Sequence, residues 1–223
     1  MNRKLMIQGL TKFTAGLILI AALIFLPAGS LKFANGWLFI GLLFIPMLAV
    51  GVALAVKNPS LLEKRLNAKE KESEQKAVLA VSGLMFISGF VIAGLNYRFQ
   101  WWMLPRWAVI AASVVFLLSY AMYAEVLREN TYLSRTVEVQ ENQKVIDTGL
   151  YGIVRHPMYS ATVLMFLAVP LVLGSPISFL IFLIYPFMLV KRIRNEEEVL
   201  ARELPGYTVY KQKVKYRMIP LIW

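Results

Sequence analysis

The sequence predicts an all-α integral membrane protein of about six transmembrane helices, the last two forming a helical hairpin. Three observations carry this expectation. Of 223 residues, 58% are hydrophobic, and the mean hydropathy is +0.61, values that exclude a disordered or ordinary soluble domain. The apolar residues fall into six runs of nearly the length a bilayer demands, ~20 mostly apolar residues each. The net charge of +11 is also distributed unevenly between the segments that link those runs.

The first run, residues 13–26, follows Arg3, Lys4 and Lys12 as the core of a signal peptide would. Pro27 and Gly29 end it without a convincing small-x-small cleavage site and more apolar runs follow, so it reads as a retained span. Residues 36–56 form the second. The stretch 57–76 opens with Asn58-Pro59, which breaks the preceding helix, and mixes Glu with Lys at close spacing, so it reads as a solvated amphipathic connector without chemistry. Around the outer end of spans three and four, 78–95 and 107–124, cluster Tyr97, Arg98, Trp101, Trp102 and Trp107, which suit an aromatic belt at the membrane surface. The last two runs, 158–173 and 177–190, are joined by Gly174-Ser175-Pro176, too short for anything but a tight helical hairpin. With both termini cytoplasmic, only Lys32, Arg98 and Arg106 of the 24 lysines and arginines lie outside, which favours that orientation. The chain then divides into four N-terminal spans, 1–127, and a loop, hairpin and cytoplasmic tail, 128–223.

Several chemistries are absent. Without cysteine there is no disulfide framework, thiolate metal site or cysteine nucleophile, and a single histidine argues against a His-rich metal centre. Topology and attraction to membrane lipids with anionic headgroups account for the basic excess. No nucleic-acid motif accompanies it, so no nucleic-acid partner is expected.

Burial alone does not explain residues 145–159. Arg155, His156 and Tyr159 place a fixed cation, an imidazole and a phenol at the lip of the fifth span, where Pro157 can open a helix. The bland reading is an interfacial collar of amphipathic side chains. The preceding loop, 128–154, is polar and long, contains strand-like alternation from Thr136 to Gln140, and has the length at which loops become functional or disordered. Beyond the sixth span, Arg192, Arg194, Glu196, Glu197, Glu198, Arg202 and Glu203 read as a solvated, salt-bridged helix extension. Arg192 and Glu196 share a face, in the weaker cation-then-anion order. Leu204-Pro205-Gly206 ends that helix, and Tyr207, Tyr210 and a basic run lead to Ile219-Pro220 and Trp223, which could return to the interface. The two polar clusters belong to the two ends of one hairpin and so must be neighbours on the cytoplasmic side. Together they suit a polar cofactor carrying an amine and a carboxylate, with an apolar substrate arriving through the bilayer.

The pattern Gly149-Leu-Tyr151-Gly-Ile-Val-Arg155-His156-Pro157-Met-Tyr159, then Arg192-x-x-x-Glu196-Glu197-x-x-Leu200, Gly206-Tyr207-x-x-Tyr210 and Ile219-Pro220, resembles the isoprenylcysteine carboxyl methyltransferase family and its phospholipid methyltransferase relatives. The likeness covers roughly residues 130–220, and its combined order and spacing are specific. It implies a membrane methyltransferase with a cytoplasmic catalytic region that binds S-adenosyl-L-methionine. By that resemblance Gln143, Lys144, Val145 and Ile146 line the cofactor, Tyr151 lies beside it, and His156, Pro157, Met158 and Tyr159 contact its methionine part. Glu196 is implied as the acidic cofactor contact and Arg192 as the arginine facing the substrate, the pair being the catalytic residues. The expected substrate is a lipophilic small molecule or lipid-modified acceptor, of the prenylcysteine carboxylate type. The chain departs from the eukaryotic members in its shorter N-terminal part and in the loop before Gln143.

Other functions stay open on the residues alone. A phospholipid N-methyltransferase must deprotonate an amine and would not welcome an arginine at the reacting centre. A sterol-type reductase would use NADPH instead. A non-catalytic membrane scaffold or a small transporter is a further alternative; a transporter would place broken helices and ions at mid-bilayer, whereas these charges sit at span ends.

Overall fold

The computed structural model describes residues 3–66, 73–133 and 139–223, and among these there is helix and irregular chain but no strand. The elements are α1 (Arg3–Ala28), α2 (Ala34–Lys57), α3 (Pro59–Leu66), α4 (Ser73–Phe99), α5 (Arg106–Glu129), a 3₁₀ turn (Gly149–Gly152), α6 (Pro157–Val172), α7 (Pro176–Phe182), α8 (Ile184–Glu203) and α9 (Tyr207–Lys213). Segments Leu5–Ala28, Ala34–Lys57, Ala80–Phe99, Arg106–Glu129 and Pro176–Glu203 are long and apolar enough to cross a membrane, and Pro157–Val172 is a shorter apolar helix. The protein is thus an all-helical, multi-pass membrane protein. At 16 residues, α6 rises about 24 Å, less than the ~30 Å hydrocarbon core. A bilayer of that thickness would bring at least one end of α6 close to the acyl chains.

The first four expected spans each fall inside one helix. The sixth does not: 177–190 is divided at Leu183 into α7 and α8. Pro186 supplies the reason, since it lacks an N–H and its ring crowds the carbonyl four residues back, at Phe182, where α7 stops. The connector after α2 contains α3, capped by Asn58, whose Oδ1 accepts from Leu61 N at 3.2 Å. The Lys12 ammonium donates to the Leu66 carbonyl at the other end of α3.

Helix α5 packs along α6, α1 along α4, and α4 against α7. Their shared core is aromatic, with Phe39 edge-on to Phe116 and Phe86 edge-on to both Phe166 and Phe182. The buried Ser178 hydroxyl donates to Gly89 O at 2.8 Å, fastening α7 to α4. The α1–α4 contact depends on Gly94, where a Cβ would stand 2.5 Å from Ile24 O and 3.0 Å from Ala28 N. Backbone cannot swing aside as a side chain can. Gly94→Ala should therefore lose about 1–3 kcal/mol to overpacking, outweighing its ~1 kcal/mol gain in helix propensity, and a thermal melt should show a lowered midpoint. Gly83→Ala, where the added carbon meets nothing within 4 Å, is the control and should not destabilise.

The α4–α5 link folds around buried Asn96, which accepts from Trp102 N at 3.2 Å and donates to Trp102 O at 2.9 Å. Trp101, Trp102 and Trp107 are each more than half exposed at that end of the bundle, as a membrane belt requires. Polar chemistry collects at the opposite end. There α8 turns into α9 at Gly206, whose φ of +86° is a left-handed conformation that glycine adopts without penalty.

Candidate active site

Pro157 occupies the first turn of α6, and the residue before a proline is held extended. His156 accordingly has φ −126° and ψ 62°. Its N–H and that of Arg155 donate to Arg217 O at 2.8 Å and Tyr216 O at 2.9 Å. Ser160 Oγ adds a bond to Met218 O at 2.6 Å, so the C-terminal segment is strapped across the start of α6. Farther along the strap, Met218 N and Ile219 N donate to Trp223 O, and the Arg217 guanidinium lies 5.2 Å from the Trp223 ring centre. The tail folds onto the site.

On α8 the buried residues Tyr185, Leu189, Ile193 and Glu197 recur every fourth position, one helix face. The apolar stripe thus delivers a carboxylate to the interior. Glu197 Oε1 accepts from Arg155 Nε at 2.6 Å, and Oε2 accepts from Arg217 Nε at 2.9 Å, with Lys211 Nζ at 3.7 Å and His156 Nε2 3.4 Å from Oε1. Arg155 spends its Nη1 on Val214 O and Lys215 O at 2.6 and 2.9 Å. The side chains of Arg155 and Glu197 are 4% and 3% exposed, so the expected solvated extension is corrected at this residue. Burial is affordable because the charges are paired and hydrogen-bonded.

Beside this hub runs a second chain of polar groups. Arg192 Nε donates to Tyr159 OH at 2.8 Å, and Tyr159 OH donates to Glu196 Oε2 at 2.6 Å. His156 Nδ1 lies 4.0 Å from Glu196 Oε1. A phenol therefore bridges the arginine and carboxylate singled out from the sequence.

A cavity of about 100 Å³ lies against this chain. Gln143, Lys144, Val145 and Ile146 line one side of it, and Tyr151, His156, Met158, Tyr159, Arg192 and Glu196 also face it. Of the expected site residues only Pro157 is not in its lining; it is buried and shapes the first turn of α6 instead. The strand-like alternation expected from Thr136 falls largely on residues 134–138, outside the described residues, and Val139 and Gln140 are not in a strand.

The cavity also draws on residues to which the sequence assigned no role. Asn130 Nδ2 donates to Tyr151 OH at 2.9 Å, and Tyr210 OH donates to Tyr151 O at 2.7 Å, fixing the 3₁₀ turn. Leu200, Leu204 and Tyr207 supply apolar surface. Their signal was the Leu204-Pro205-Gly206-Tyr207-x-x-Tyr210 stretch, read only as a helix end and part of a resemblance. Burial raises the Tyr210 phenol pKa above its ordinary value. Outside the cavity, Lys213 Nζ lies 2.8 Å from Asp147 Oδ2, and that bond holds the Asp147 carboxyl below its usual pKa. This pin holds above the ordinary aspartate range and is released as pH falls through the lowered value. Both partners are largely exposed, so its contribution is small.

A bundle of bilayer-length apolar helices, closed at one end by a buried ion hub and a polar cavity, defines a multi-pass membrane protein with a polar chemical site at one end. Residues 108–202 match the Isoprenylcysteine carboxyl methyltransferase (ICMT) family. The matched stretch runs from α5 almost to the end of α8 and contains the loop side of the cavity, His156, Tyr159, Arg192, Glu196 and Glu197. No curated protein matches the chain.

Proposed function

We propose that the protein transfers a methyl group from S-adenosyl-L-methionine to the carboxylate of a lipophilic acceptor of the prenylcysteine type, at the cytoplasmic face of a membrane. The observation that carries this reading is the Arg192–Tyr159–Glu196 chain on the cavity, with His156 alongside. The residues present fit the donor: a carboxylate for its ammonium, cations and an imidazole for its carboxylate, and Val145, Leu200 and Leu204 for its nucleoside. When bound, the donor supplies an electrophilic methyl on a sulfonium. A carboxylate acceptor is already ionised near neutral pH and needs no strong base, so the chain's task is alignment and exclusion of water.

Glu196 faces the donor's ammonium, while Tyr159 keeps that carboxylate oriented. Arg192 holds the anionic acceptor through a charge-assisted bond. An amine acceptor would be repelled by the same guanidinium, which favours the carboxylate over a phospholipid amine. The short α6 brings these groups near the acyl chains, where a lipophilic acceptor partitions. At about 100 Å³ the cavity is smaller than the roughly 300 Å³ and upward of ligand pockets. Donor binding on this reading requires the cavity to widen.

Calorimetric titration with S-adenosylhomocysteine tests the donor: saturable binding at one site per chain is expected, and no binding up to millimolar concentration removes the reading. Labelled-methyl assays then compare a farnesylcysteine acid with phosphatidylethanolamine. Methyl ester from the acid alone is expected, whereas methylated lipid amine would reverse the acceptor assignment.

A further inference from the structure

Five tyrosines line the cavity, Tyr132, Tyr151, Tyr159, Tyr207 and Tyr210, and four of them have hydroxyls engaged by the protein. Tyr132 OH donates to Asn142 O at 3.2 Å, Tyr151 OH accepts from Asn130, Tyr159 OH bridges Arg192 and Glu196, and Tyr210 OH donates to Tyr151 O. Tyr207 differs. Its residue is 3% exposed, and its hydroxyl is buried with no hydrogen-bond partner among the described residues. Buried polar atoms are almost always paired, and leaving one unpaired is destabilising. An orphan hydroxyl on a side chain that lines a cavity is accounted for when a ligand completes it.

The geometry also indicates which end of a ligand it meets. Tyr207 follows the left-handed Gly206 and lies within the electrostatic reach of Glu197, Glu196 and Arg155. Burial first, then the two carboxylates, raise its pKa far above the ordinary phenol value, so the hydroxyl keeps its proton and serves as a donor. Around Glu197 stand Arg155, Arg217 and Lys211, each within 4 Å. Of these three cations Arg155 also lines the cavity and acts on Tyr207, so a ligand carboxylate beside that hydroxyl meets an opposite charge.

We propose that the Tyr207 hydroxyl binds the amino-acid end of the methyl donor, donating a hydrogen bond to its carboxylate while Glu196 faces its ammonium. This rests on the S-adenosyl-L-methionine reading and adds a binding group that the conspicuous 145–159 stretch does not contain. Tyr207→Phe preserves the ring and removes a hydroxyl that no group among the described residues uses. Two probes separate the ligand's ends: S-adenosylhomocysteine, and 5′-methylthioadenosine, which shares its thioether nucleoside but lacks the amino-acid end.

Titrating wild type and Tyr207→Phe with both, alongside thermal melts without ligand, provides the test. The expected result is about tenfold weaker S-adenosylhomocysteine binding, unchanged methylthioadenosine binding, and a melting midpoint no lower than wild type. Tyr210→Phe, which loses the bond to Tyr151 O, should instead lower the midpoint. Unchanged S-adenosylhomocysteine affinity in Tyr207→Phe overturns the inference, and so does an equal loss for both probes or a lowered midpoint. Failure of the wild type to bind either probe overturns the methyl-donor reading itself and takes this inference with it.

Discussion

Replacing Glu197 with alanine is expected to cost about 3–5 kcal/mol of stability, the largest fall from any single substitution in the site. The cost comes from the partners left behind. Arg155, with its side chain 4% exposed, would keep two backbone acceptors and lose its carboxylate partner. Arg217 suffers less, because its side chain is 28% exposed and water can replace the carboxylate. The thermal midpoint of the detergent-solubilised protein should therefore drop steeply for Glu197→Ala, less for Glu197→Gln, and least for Arg217→Ala. A Glu197→Ala protein that melts with the wild type would show that the hub bears no structural load.

Arg192→Ala should act on turnover rather than on the fold. Removing a preorganised group that meets charge at the reacting centre costs roughly 10²–10³ in kcat. Affinity for S-adenosylhomocysteine should change little, since Tyr159 OH still donates to Glu196. Steady-state kinetics and calorimetry on the same preparation check the division, and equal losses in both would assign Arg192 to the cofactor instead. Arg192→Lys restores the charge without the planar fork and should recover only part of the rate.

Span positions were legible from hydropathy because a bilayer imposes one length on every crossing. The break at Leu183 was harder to see: Pro186 was visible, but proline within a membrane helix is often tolerated. Neighbouring of His156 with Arg192 and Glu196 followed from the hairpin alone, since two ends of one hairpin must share a side. The role of Glu197 was missed because it sits among Glu196, Glu198 and Arg194 and reads as one more solvated charge. Its signal lay in register, four residues after Ile193 on the stripe from Tyr185. Lys211, Val214 and Arg217 could not be joined to the hub from sequence, because turns at Gly206 and beyond, not periodicity, bring them back. Tyr207 was hidden for the same reason.

The strap across α6 orders events during synthesis. Arg155 and His156 leave the ribosome some 60 residues before the carbonyls that receive their hydrogen bonds. Every apolar helix is therefore made, and available for insertion, before the chemical end of the molecule can close. A nascent protein stalled ahead of Tyr216 would hold a bundle in the membrane with its donors unanswered, so this end closes only once residues 216–218 dock.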